Sequence, residues 1–326
     1  MKPAKGQLFS GREDGIEAVA LGQNEDVYVA GYSKSTNTPT VPGGFQPTHA
    51  PTVWEDAFVA RLNSTGTQLL AFTFFGGNGI EHAYDLHVDP SGVVSIGGYV
   101  EGGPMPTTPG AFQVTSGYAD LFAARFSPSL SRLFYATRLG GPSLEFRLAG
   151  FAVDPTGNGV LGGSSVGGFP VTPGAALPNY AGGQTDGTVS VLDFLPRGAQ
   201  RYGVSTPACS GPIPIHVTAM PAAGASNFGF YCTAAPPLAS GWLLIGRSGA
   251  PVPIQVLGAK LWIDPSRGLS RLPVTANALG YVERPVTIPT SAQGEHFVAQ
   301  FVFPGLTHCG AGWGIAASDA LKITVQ

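Results

Sequence analysis

His82-Ala83-Tyr84-Asp85-Leu86-His87-Val88-Asp89-Pro90-Ser91-Gly92, continuing as Val93-Val94-Ser95-Ile96-Gly97-Gly98-Tyr99, holds two alternating apolar runs joined by a turn. Apolar residues at every second place describe strands with one buried face. Asp89-Pro90-Ser91-Gly92 is turn chemistry: Asp bonds back to the chain, Pro fixes φ, and Gly supplies positive φ. The same hairpin is written twice more. Gly15-Ile16-Glu17-Ala18-Val19-Ala20-Leu21 with Val27-Tyr28-Val29-Ala30-Gly31-Tyr32 precedes it, and the run 149–158 with Gly159-Val160-Leu161-Gly162-Gly163-Ser164 follows it.

Further landmarks keep the same period. Pro42-Gly43-Gly44-Phe45-Gln46 recurs as Pro109-Gly110-Ala111-Phe112-Gln113 and, degenerately, as Pro173-Gly174-Ala175-Ala176. Asp56-Ala57-Phe58-Val59-Ala60-Arg61-Leu62 recurs as Asp120-Leu121-Phe122-Ala123-Ala124-Arg125-Phe126, with a weaker copy at 186–192. Thr73-Phe74-Phe75-Gly76-Gly77 returns once, as Thr137-Arg138-Leu139-Gly140-Gly141. Self-similarity at a fixed period marks an array of supersecondary units. Each unit reads as four strands, which predicts three β-propeller-type blades over about 11–75, 76–140 and 141–200.

Composition agrees with an all-β chain. Among 326 residues there are 47 Gly, 29 Pro and 19 Phe, and only 11% are charged. Gly and Pro interrupt helices, whereas aromatic and β-branched residues fill pleated, half-buried surfaces. With net charge −3 and no basic run, the chain lacks the cations that neutralise phosphates, so nucleic acid is excluded as a partner. No stretch of 18 apolar residues predicts a transmembrane segment. The start, Met1-Lys2-Pro3-Ala4-Lys5-Gly6, lacks the apolar core of a signal peptide, although the rest of the chain has a secreted character.

The order of these landmarks resembles the bacterial β-propeller repeat family called SBBP, over roughly residues 11–200. That resemblance implies a secreted or cell-surface bacterial protein, multi-repeat and without assigned catalysis. Three blades fall short of the four to eight typical of a closed propeller. A partial or open propeller is therefore expected, completed by missing N-terminal blades or by another chain.

Past Leu192-Asp193-Phe194-Leu195-Pro196 the repeat stops, and residues 201–326 form a second region. Short apolar runs at 213–217, 227–233, 242–246, 255–257, 260–263, 282–288, 297–303 and 321–325 predict seven or eight strands in a two-sheet β-sandwich. Its three cysteines, Cys209, Cys232 and Cys309, read as one disulfide and one thiol, with three pairings open. Tyr202-Gly203, residues 206–212, Cys232-Thr233-Ala234-Ala235-Pro236-Pro237 and Ile263-Asp264-Pro265 are similar to the C-terminal all-β module of secreted planctomycete-type proteins. The resemblance implies a Cys209–Cys232 link. A further Cys expected before Leu261 is absent, which leaves Cys309 as a substitute partner or a free thiol.

Chemistry is sparse. Gly163-Ser164-Ser165-Val166-Gly167 fits a hydrolase nucleophile pattern, but no helix is expected after it and it coincides with a blade landmark. His82 and His87, five apart on one strand, are expected on opposite faces. Asp89 and Asp154 could offer Ca²⁺ oxygen ligands; turn capping is the preferred reading, and no catalytic residue or cofactor is expected. Recognition is assigned to the blade loops 33–50 and 101–109 and to the aromatics Tyr32, Phe45, Trp54, Tyr99, Phe112 and Tyr118, because loops on a rigid scaffold carry binding. The expected function is a non-enzymatic binding or adhesion scaffold for a carbohydrate or protein surface. The alternatives are a propeller-fold hydrolase or lyase acting on polysaccharide, and a purely structural envelope component.

Overall fold

The computed structural model describes residues 13–35, 38–115, 117–146, 148–208, 211–306 and 313–326. The fold is all-β, built of several small antiparallel sheets. Two compact units divide it between Asp193 and Phe194, with residues Pro155–Gly157 grouped in the second.

In the first unit, β1 (Asp14–Leu21), β2 (Val27–Ser33), β3 (Asp56–Leu62) and β4 (Leu69–Phe75) form a meander in which each strand pairs with the next. β5 (Ile80–Val88), β6 (Val94–Glu101), β7 (Ala119–Phe126) and β8 (Leu133–Leu139) repeat it. β9 (Gly150–Val153), β10 (Gly159–Ser165) and β11 (Asp186–Leu192) make a third sheet with the same order. Consecutive sheets stack through their first strands: β5 lies against β1, β2 and β3, and β9 against β5 and β6. Between sheets one and two, Ala57, Val59 and Phe75 meet Leu86, Ile96, Phe122 and Phe126 in one buried core. Each of those phenylalanines contributes roughly 1.5–3 kcal/mol by leaving water.

The third sheet corrects the expectation of three four-stranded blades, since it has three strands. Two sequence losses account for this. No Thr-x-x-Gly-Gly run follows β11, and the next strand, β12 (Ala199–Tyr202), pairs in the second unit instead. The loop landmark fails with it. Gln46 accepts from Phe74 N–H through its carbonyl (2.9 Å) and from Gly76 N–H through its side chain (3.0 Å), which clamps the outer edge of β4. Gln113 does the same for β8 through Arg138 (3.0 Å) and Gly140 (3.1 Å). Leu177 stands at the matching place in the third repeat and is 87% exposed.

A β-bulge interrupts β5 between Ala83 and Asp85, and another interrupts β1 between Ile16 and Ala18. The extra residue turns His82 and His87 to the same face, opposite Tyr99 and Ser95 of β6, which corrects the expectation of opposite faces.

The second unit has ten strands among its described residues. β12, β21 (Trp313–Thr324), β20 (His296–Leu306), β15 (Ser240–Gly246) and β18 (Leu269–Thr275) form one sheet. β13 (Ile215–Val217), β14 (Gly229–Cys232) and β19 (Val282–Pro285) form a second. These two enclose a core of Ile215, Phe228, Phe230, Leu243, Phe301, Phe303 and Leu321. The hairpin of β16 (Gly249–Val256) and β17 (Ala259–Ile263) packs Ala259 and Ile263 against the opposite face of the larger sheet. Buried Gln300 fixes it there, accepting from Trp262 N–H (2.9 Å) and donating to the carbonyls of Lys260 and Ser318 (2.9 and 2.8 Å). No helix among the described residues is long and apolar enough to cross a membrane.

Candidate binding site along the fifth strand

The bulge in β5 places Tyr84 outside the regular alternation. Its ring meets His82 edge-on, with centroids 5.8 Å apart, and His82 stacks on Tyr32 at 4.0 Å. Tyr99, opposite His82 in the ladder, donates from its hydroxyl to Glu101 Oε2 (2.8 Å). Burial and this carboxylate raise the Tyr99 pKa, and the phenols of Tyr84 and Tyr118 lie close enough to raise it further. The His82 ring is held below the usual histidine range by burial, against the pull of Glu55, Glu17 and Glu101. Four tyrosines and a histidine thus form one patch with a carboxylate rim. A cavity of about 330 Å³ adjoins it, lined by Tyr84, Asp85, Leu148, Ala149 and Gly150.

Three of the aromatics singled out from sequence, Tyr32, Tyr99 and Tyr118, therefore come together. The others do not join them. Phe45 donates its N–H to Leu130 O (2.9 Å) and packs its ring 6.2 Å from that of Phe126. Phe112 donates its N–H to the Tyr135 hydroxyl (2.9 Å), although its ring is exposed. Both are anchors beside the glutamine clamps. Trp54 is half exposed in the loop before β3, next to Glu55, which accepts from Lys34 Nζ (3.1 Å). Sequence reasoning missed His82, Tyr84 and Glu101 as members of the patch, because the bulge that gathers them leaves no mark in an alternating run.

Asp89 and Asp154 cap their turns. Asp89 Oδ1 accepts from Ser91 N–H (2.9 Å), Ser91 Oγ (2.7 Å) and Val93 N–H (3.0 Å). Asp154 accepts from the backbone and side chain of Asn158, each at 3.0 Å. No group of three or more His, Cys, Asp or Glu side chains that could hold a metal ion occurs among the described residues.

A second polar feature lies inside the stack. In sheets one and two the acid at the start of the third strand meets an acid just before or at the start of the next sheet, as Asp56 with Glu81 and Asp120 with Glu145; all four are fully buried. Burial, with a smaller contribution from the aspartate partner, pushes Glu81 up to about 8 and Glu145 up to about 7. Glycine leaves the room for this. A Cβ on Gly140 would clash with Asp120 Oδ1 and Glu145 Oε2 together. Arg138 Nε closes the second pair, 2.7 Å from Asp120 Oδ2. Glu145 Oε1 also accepts from Ser165 Oγ (3.0 Å), so the hydroxyl of the Gly-x-Ser-x-Gly run is buried at the end of β10.

Cys232 is a free, fully buried thiol, and burial raises its pKa well above the ordinary value. Cys209, its expected partner, and Cys309 lie outside the described residues. Among known proteins, no family model and no curated sequence matches the chain.

Proposed function

We propose that this chain is a non-enzymatic, secreted or cell-surface binding scaffold: an open β-propeller array of three blades followed by a β-sandwich module, with carbohydrate as the ligand. The observation that carries the reading is the patch of Tyr32, His82, Tyr84, Tyr99 and Tyr118 rimmed by Glu17, Glu55 and Glu101. Aromatic faces supply large contact area with a polar tip, and carboxylates accept hydrogen bonds from sugar hydroxyls. Rigid strands rather than loops hold most of these groups, so little ordering entropy is lost on binding. The acids with raised pKa values support a role without catalysis, because they are sealed between sheets and cannot touch a substrate.

A glycan array probed with the intact chain tests this. Binding to a defined glycan class is expected, weakened at least tenfold by Tyr84→Ala combined with Tyr118→Ala. Absence of binding to any glycan, or binding unchanged in the double variant, would refute it.

A further inference from the structure

The stack of sheets has two ends, and they carry the two halves of an interface that the chain already makes twice. The half contributed by each later sheet is a row on its first strand. In β5 that row is Ala83, Leu86 and Val88, and in the third sheet it is Leu148 and Phe151. Ala83, Leu86, Leu148 and Phe151 are at most 8% exposed. The ladder register puts Ile16, Val19 and Leu21 of β1 at the same places. There they are 48, 65 and 67% exposed, with no sheet of the described residues against them.

The half contributed by each earlier sheet is a socket. In sheet two its floor is Gly97, where a Cβ would come within 2.8 Å of Phe151 Cβ and 3.0 Å of Leu148 Cδ2. In sheet one its wall is Ala57 and Val59 of β3, both fully buried. The matching positions of sheet three are Gly162 on the floor and Gly187 and Val189 on the wall. Around Gly162 a Cβ would meet only a backbone oxygen 3.9 Å away, around Gly187 nothing within 4 Å, and Val189 is 79% exposed. Among the described residues, row and socket are both present, both apolar and both exposed. They stand, among the described residues, at opposite ends of a stack of three sheets, fewer than the four to eight that close a propeller ring, so these three sheets do not bring the two halves together.

We infer that the occupant is a second copy of this chain, whose β1 row seats over Gly162 and Val189 as Phe151 seats over Gly97. The contact is head to tail, joining two different surfaces, and so propagates to a ring or a filament rather than stopping at a symmetric pair. It does not depend on the carbohydrate reading: absence of glycan binding would leave it untouched, and a monomeric chain would leave the aromatic patch untouched.

Sedimentation velocity on the intact chain tests it, using Val19→Glu and Val189→Glu, two exposed strand positions whose folding is checked by circular dichroism. Wild type is expected to show mass rising with concentration. Each variant alone should associate at least tenfold more weakly. An equimolar mixture should give a dimer and nothing larger, because one variant keeps the socket and the other keeps the row. A wild type that stays monomeric up to about 100 μM, where contacts of micromolar Kd would be saturated, would overturn the inference. So would undiminished association of either variant, or a mixture that yields no dimer.

Discussion

Glu81 makes the stability of the first unit fall as pH rises through neutrality. The side chain is fully buried, it accepts from Gly77 N–H at 3.1 Å, and its pKa stands near 8 against an ordinary 4.5. A folded state that holds a proton more tightly than the unfolded chain is fully stabilised below the unfolded pKa and loses that stability as pH climbs to the folded one. At about 1.4 kcal/mol per unit, the whole span from 4.5 to about 8 corresponds to about 5 kcal/mol. His82 and His87 work in the opposite sense: their pKa values are lowered by burial, so their contribution is lost as pH falls below 6.5. The window from 6.5 to 8 therefore isolates the carboxyls, and Glu81 accounts for about 2 kcal/mol within it. Hydrogen exchange of the β5–β7 amides, read by mass spectrometry at pH 6.5 and 8, measures this without interference from the second unit. Glu81→Gln keeps the shape and stays neutral, so its opening free energy should change less than that of wild type, by what Glu145 and the other buried carboxyls raised by burial, Asp56 and Asp89, contribute. If wild type and Glu81→Gln lose equal stability across that window, the buried-proton argument is wrong.

Gly140→Ala should lower the urea stability of the first unit by about 2–3 kcal/mol through overpacking against the acid pair, whereas Gly187→Ala, with open space around it, should stay within about 0.5 kcal/mol. Arg138→Met removes the partner of buried Asp120, and thermal melts should show a loss of about 3–5 kcal/mol. Phe301→Ala opens the sandwich core and should cost about 3–5 kcal/mol in the denaturation of the second unit. The Cys232 thiol, buried and with a raised pKa, should resist alkylation in the native state and react promptly in denaturant, as followed by intact mass.

Alternation and turn chemistry were enough to place β5, β6, β9 and β10, because each is a short run of alternating apolar residues with an Asp-Pro-x-Gly turn or a Gly pair in or beside it. Eight short apolar runs in the second unit coincide with strands because Pro or Gly bounds them. Strand β18 was hidden by Pro273, which lacks an N–H and is tolerated because β18 is the edge strand of its sheet. β12 was hidden by its polar sequence, Ala199-Gln200-Arg201-Tyr202, whose pairing depends on a distant partner, Ala320–Ile323 of β21. The candidate site was half legible. Tyr32 and Tyr99 could be found because they occupy the same place in two repeats, but His82 and Tyr84 are gathered by a bulge. Glu81 and Glu145 looked like ordinary strand-entry acids; only the stacking of sheets puts each against an aspartate from the repeat before.

That last arrangement constrains how such a chain can change over generations. Each acid pair takes one member from the end of one repeat and one from the start of the next, and so does each row-and-socket contact. Deleting half a repeat would therefore strand a buried carboxylate and an apolar row at once. Duplicating a whole repeat restores both across the new boundary, whatever the copy number. The length of the array is free to drift, but only in steps of one repeat.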